Sequence, residues 1–213
     1  MPERAETVVL LSGLWLPGGC LSLLKRRLRA CGFEVRVCEY HSVRAGLAEN
    51  ARALHDFLQT LSADTVHFVG YSLGGIVIRA LFEFYPGQRP GRIVTLATPH
   101  LGNRVASRLT RHRWGRRLLG QSVCDLVAGA PQSWTLPARD IGSLAGNVAF
   151  GLGMCCVRLP RPHDGSVTVA ETQLPGIADH AVLPAAHFSM LLSETAARET
   201  CHFLRTGRFG GNR

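Results

Sequence analysis

The chain has 213 residues and a formal net charge of +9, with 46% of its residues apolar and 18% charged. That balance excludes the low-hydrophobicity, high-charge composition of a disordered chain, and no run of about 18 uncharged apolar residues is present, so no membrane span is expected. The length suits a single domain over 1–213 with an ordered core at about 7–205.

Thr7–Leu11 is a compact apolar run ahead of Ser12-Gly13 and reads as a buried strand. Cys20–Ala30 sets Leu21, Leu24 and Leu28 at helical spacing against Lys25, Arg26, Arg27 and Arg29, and Gly32 supplies a C-terminal stop. Phe33–Glu39 alternates as a strand, Gly46–Leu61 reads as a helix, and Asp64–Gly70 is a third strand built on Val66, Phe68 and Val69. An apolar helix over Gly74–Phe84 and a strand over Gly91–Ala97 follow. Strands alternating with helices imply βαβ units, hence an α/β fold with a mostly parallel central sheet and helices on both faces. In the second half, 100–137 reads as an excursion with one or two helices, and Asp140–Ala145 as a strand. Asn147–His163 reads as a Gly-rich loop, Ala181–Leu183 as a short strand, and Ser189–Leu204 as a closing helix. The tail Gly207–Arg213 is expected to be disordered.

Met1–Glu6 has no basic run followed by an apolar one, so no secretory signal is read there and a cytoplasmic location is expected. The seven cysteines lack zinc-ligand spacing. Buried free thiols in a reducing compartment are expected.

Gly70-Tyr71-Ser72-Leu73-Gly74-Gly75 matches G-x-S-x-G, with a β-rich run before it and a helical run after it. That strand–turn–helix setting lifts a serine hydroxyl clear of a sheet's carboxyl edge. The unpaired N–H groups of the helix start favour a developing oxyanion there. Val66–Gly75 resembles the nucleophile strand and elbow of the α/β-hydrolase superfamily, in its small bacterial-type lipase and esterase branch. Val8–Trp15 is similar to the first-strand motif of that family, with Ser12 where the family usually has His. Leu96-Ala97-Thr98-Pro99-His100-Leu101-Gly102 is similar to its Thr-Pro-His-x-Gly segment.

The resemblance implies an α/β-hydrolase fold with a minimal or short lid, and a serine hydrolase of carboxylic esters working through an acyl-enzyme on Ser72. A serine hydroxyl needs a general base, and the base needs an orienting acid. The family's chain order is Ser, then Asp or Glu, then His. His187 follows the short strand and precedes the closing helix, as the family's base does; His180 is its main rival, and His202 lies within the helix. Asp164, in His163-Asp164-Gly165-Ser166-Val167, resembles the family's acid turn, with Asp179 and Asp140 as alternatives. The backbone N–H groups of Leu14 and Leu73 map onto the oxyanion hole, while Trp15, Tyr71 and His100 are candidate walls of the substrate pocket. No metal or organic cofactor is implied.

The charge favours acidic partners. Asn103–Leu119 carries Arg104, Arg108, Arg111, Arg113, Arg116 and Arg117 where the resemblance puts a lid, so peripheral contact with anionic lipid is one reading and a plain solvated helix the other. No nucleic-acid-binding signature is found, and no nucleic-acid partner is expected. Two further readings stay open: an acyltransferase or thioesterase with the same triad, and a non-catalytic binding protein of the same fold.

Overall fold

A computed structural model describes residues 6–211. Its strands are β1 (Thr7–Leu11), β2 (Glu34–Val37), β3 (Val66–Tyr71), β4 (Ile93–Leu96), β5 (Ile141–Gly146) and β6 (Asp179–Leu183). They form one sheet in the order β2-β1-β3-β4-β5-β6, and every pairing is parallel. The helices are α1 (Ser22–Ala30), α2 (Leu47–Gln59), α3 (Leu73–Phe84), α4 (Arg104–Leu109), α5 (Arg113–Leu119), α6 (Gln121–Val127), α7 (Val169–Thr172) and α8 (Glu194–Thr206).

Strands buried on both faces are continuous apolar runs rather than alternating ones. All five residues of β1 are buried for this reason. Successive side chains leave opposite faces of a strand. Val8 and Leu10 therefore join a core with Leu24 and Leu28 of α1 and Phe203 of α8. Val9 and Leu11 join the other core, with Leu54 of α2 and Ile76 of α3. Strand order reverses at β1, which has β2 on one side and β3 on the other. Open parallel sheets bind ligands at such a switch point, outside the carboxyl ends of the strands. The segments leaving β1 and β3 there are the Ser12-Gly13-Leu14-Trp15 loop and the Ser72 elbow.

The excursion after β4 holds three short helices, more than its sequence pattern conveys. Tertiary hydrogen bonds hold them: Leu47 N–H donates to Asp125 Oδ2 at 2.9 Å, and Asn50 Nδ2 to Ser122 Oγ at 2.9 Å. The closing helix starts later than periodicity predicts. A 3-10 turn covers Phe188–Leu191, and Ser193 then caps α8 by accepting from Ala196 N–H.

Two expectations are corrected. The tail is ordered through Gly211. Phe209 packs on Phe203 at 4.8 Å between ring centroids, and the Gly210 and Gly211 N–H groups both donate to Glu199 Oε2. Asn212 and Arg213 lie outside the described residues. Nor are the cysteines all buried free thiols. Cys31 and Cys201 form a disulfide across α1 and α8, with their Cα atoms 6.4 Å apart, and Cys155 and Cys156 are exposed. Disulfides belong to oxidising surroundings, so this pair runs against the reducing-compartment expectation. Among the described residues no helix is long and apolar enough to cross a membrane.

Candidate active site

Ser72 sits between β3 and α3 with φ 52° and ψ −119°, a left-handed conformation rare for a residue with a side chain. Holding it costs about 1–3 kcal/mol. The surroundings enforce it. Ser72 N–H donates to Leu96 O at 2.8 Å, and Thr98 Oγ–H donates to Ser72 O at 2.9 Å. Each such bond contributes about 1 kcal/mol. The glycines are required by crowding. A Cβ at Gly70 would stand 2.5 Å from Gly75 N, and one at Gly74 would stand 2.6 Å from the carbonyl oxygens of Leu11 and Ser12. The turn is therefore wedged between the ends of β1 and β4.

Two loops from the other half of the sheet extend a hydrogen-bonded line from this hydroxyl. His187, just beyond β6, brings Nε2 to 3.1 Å from Ser72 Oγ. Its Nδ1 lies 2.7 Å from Asp164 Oδ2. Asp164 is buried, and its second oxygen accepts from Ser166 N–H at 2.9 Å and Val167 N–H at 2.7 Å. Facing a carboxylate, which only accepts, Nδ1 donates, and the Nε2 of a neutral imidazole is then an acceptor toward the Ser72 hydroxyl. The loops are also joined through their backbones, His187 N–H donating to Asp164 O at 2.8 Å. Tyr71 braces this junction from below, its hydroxyl donating to His187 O at 3.2 Å. Burial, with Asp164 nearby, pushes the Tyr71 phenol well above its ordinary pKa, so it stays a neutral donor.

The loop after β1 lies against Ser72. A Cβ at Gly13 would stand 3.1 Å from Ser72 Cβ. Ser12, the residue that departs from the family pattern, is buried and donates through Oγ to Leu16 O at 2.7 Å. Leu16 N–H returns to Gly13 O at 3.3 Å. Between these bonds Trp15 adopts φ 61°, its indole N–H donating to Leu118 O at 3.1 Å. Leu73, as the first residue of α3, has no intrahelical acceptor for its N–H.

The remaining candidates fall elsewhere. His180 is held by Thr172 Oγ1 at 2.9 Å, and His202 lies on α8. Asp140 pairs with Arg92 at 3.0 Å, and Asp179 accepts from Phe209 N–H. Trp15 is exposed beside the site, but Tyr71 is a buried support. His100 is fully buried, with Nε2 3.0 Å from Thr95 Oγ1 and its carbonyl taking Arg79. It therefore lines no open wall. Burial, then Arg79 and His180, drive its pKa down to about 3, so it is a neutral structural ring. The Thr98 and Ser12 side-chain bonds were not read from the sequence. Thr98 stood in the Thr-Pro-His segment, which signalled nearness without naming a partner.

A serine hydroxyl in reach of an imidazole that faces a buried carboxylate is an arrangement able to deliver an activated oxygen nucleophile. The family model described as "Putative serine esterase (DUF676)" matches residues 40–121, which include Ser72 but neither Asp164 nor His187. No curated protein matches the chain. The mature form of the Bacillus licheniformis lipase BlEst2 is similar with TM-score 0.74 and 20% identity, over 97% of this chain and 93% of that one. The metagenomic carboxyl esterase MGS0156 is similar with TM-score 0.67 and 20% identity, over 86% of this chain and 64% of that one. Legionella pneumophila phospholipase PlaB, solved with thio-NAD, is similar with TM-score 0.75 and 13% identity, over 96% of this chain and 59% of that one. With its parallel sheet, its reversal at β1 and a serine elbow after β3, the chain has the α/β-hydrolase fold.

Proposed function

We propose that the chain hydrolyses carboxylic esters through an acyl-enzyme on Ser72. The observation that carries this reading is the hydrogen-bonded line from Ser72 Oγ through His187 to Asp164, assembled from three distant segments. Ser72 Oγ attacks the ester carbonyl while His187 Nε2 takes its proton. The tetrahedral oxyanion is held by the N–H groups of Leu14 and Leu73. Asp164 orients the imidazole and stabilises its cation. The protonated His187 then gives its proton to the departing alkoxide, releasing an alcohol and leaving the acyl group on Ser72. In the second half His187 deprotonates a water, which attacks the acyl carbonyl. Ser72 takes back its proton as the carboxylic acid leaves. The description of the matching family, and the names of the similar lipase and esterase, point the same way.

A p-nitrophenyl ester series of increasing chain length, run on the wild type and on Ser72→Ala, tests the reading. Hydrolysis by the wild type, absent from the variant, is expected, together with fluorophosphonate labelling at Ser72. Ester hydrolysis unchanged in Ser72→Ala sinks it. An acyl group passed to added alcohol in preference to water moves the assignment to an acyltransferase.

A further inference from the structure

The segment 103–119 carries six arginines and no aspartate or glutamate. Arg104, Arg108, Arg111, Arg113, Arg116 and Arg117 are all exposed. Among the described residues none of them forms an ion pair. A solvated helix ordinarily sets carboxylates three or four residues from its arginines; α4 and α5 have none. The apolar residues of α5 are also unusual. Leu119 is buried, whereas Trp114 is 59% exposed and Leu118 48% exposed, one turn apart on the same face. Water is a poor partner for that pair.

The patch continues toward the candidate site. The indole N–H of Trp15, itself 53% exposed, is bonded to the Leu118 carbonyl, and Trp15 follows Leu14 on the loop packed against Ser72. On the His187 side, Phe188 is exposed directly after His187 in the chain. Phe150 is exposed there too, and a Cβ at Gly165, the neighbour of Asp164, would stand 2.2 Å from the Phe150 carbonyl oxygen. Exposed large apolar groups thus stand on the segments next to Ser72 and His187, and cations without ion-pair partners stand on the Trp15 side. An aqueous protein surface has little reason for this combination. Tryptophan and leucine beside arginine suit the boundary between lipid headgroups and acyl chains.

We infer that α5 and the Trp15 loop dock on an anionic phospholipid surface, with Trp114 and Leu118 entering the headgroup–acyl boundary and the arginines of α4, of α5 and of the turn between them on the phosphates. The proposal rests on the ester-hydrolase reading only for its purpose. Docking would turn the Ser72 mouth toward esters held in that surface. The charge complementarity is what selects an anionic surface over a neutral one.

The test is co-sedimentation of the full chain, as Ser72→Ala, with vesicles of phosphatidylcholine alone or with about a third phosphatidylglycerol. Using that variant makes the readout independent of whether Ser72 is a nucleophile. Binding to the anionic vesicles alone is expected, weakening with added salt. Replacing Arg111, Arg113 and Arg117 by Gln should lower the partition coefficient on the order of a hundredfold. Trp114→Ala with Leu118→Ala should lower it at least about tenfold. Circular dichroism checks that both variants fold. In an otherwise wild-type chain, the arginine variant should hydrolyse a short soluble ester at the unaltered rate and lose activity only on vesicle-borne ester. Equal binding to both vesicle types overturns the proposal. So does binding that survives loss of Trp114 and Leu118, and so does single-stranded RNA taking the chain more tightly than the anionic vesicles. Absent ester hydrolysis with intact docking overturns the proposed function and leaves the docking surface standing.

Discussion

Around Ser72 one tight turn is held by crowding, while around Asp164 and His187 two loops are tied to each other by hydrogen bonds as well. A Cβ at Gly75 would stand 2.3 Å from Thr98 Oγ1, and the elbow has no room for even a methyl group. Asp164 and His187 sit on segments with little regular structure. Asp164 is fixed by two N–H donors and by the backbone bond from His187. Glu171 braces the same region, accepting from Arg104 N–H at 2.6 Å and Thr168 N–H at 2.7 Å. Added volume is excluded on both sides, a Cβ at Gly146 standing 2.4 Å from Ala185 O and 2.9 Å from Asp164 Cβ, and what distinguishes the Asp164–His187 side is that its loops are also tied by bonds to the Asp164 and Glu171 carboxylates.

The largest expected effect removes the reacting atom. Ser72→Ala should lower kcat by about a millionfold with an unchanged melting temperature. On the other side, Asp164→Asn keeps the shape but disturbs the imidazole tautomer, and should lower kcat by about ten-thousandfold. An Asp164→Asn enzyme within tenfold of wild type would show that the carboxylate has no such role. Next comes the staple on the looser half. Replacing Cys31 and Cys201 by Ser should cost about 2–5 kcal/mol of stability, read by denaturant unfolding, because the unfolded chain is no longer closed by a cross-link between residues 170 apart. Gly70→Ala should cost about 1–3 kcal/mol, since its methyl meets backbone rather than a yielding side chain. A neutral result would mean that the elbow can open.

The smallest effect is on acid stability. The ordinary histidine pKa is 6.5, and that of His100 in the fold is about 3. Between those values the unfolded chain binds a proton that the folded chain refuses. Stability from His100 is therefore complete above pH 6.5 and is lost progressively as pH falls toward 3. His100→Gln should flatten that slope in urea melts between pH 6.5 and 4; an unchanged slope would assign it to other groups.

The elements up to β4 were legible because β1, β3 and β4 are short, largely apolar runs, as with Thr7–Leu11 before Ser12-Gly13, and β2 alternates apolar and charged residues. The elbow was legible because its glycines answer a steric demand written at neighbouring positions. Asp164 and His187 could be named from the resemblance of their loops and the order of the chain, yet their meeting depends on contacts 23 and 115 residues apart. The helices α4 to α6 were blurred because they are short and held by tertiary bonds such as Leu47 to Asp125. His100 was read as a pocket wall because its segment lies beside the elbow, but nearness along the chain does not say which way a ring turns. The cysteine pair left no local trace, being 170 residues apart.

That long separation makes the molecule a covalent ring. Positions 72, 164 and 187 all lie inside the loop closed by Cys31 and Cys201. A protease that cuts one peptide bond within it, for instance in the linker between α4 and α5, leaves a nicked particle whose halves stay attached. The half with the hydroxyl and the half with the imidazole then part company only after a reductant has opened the bridge.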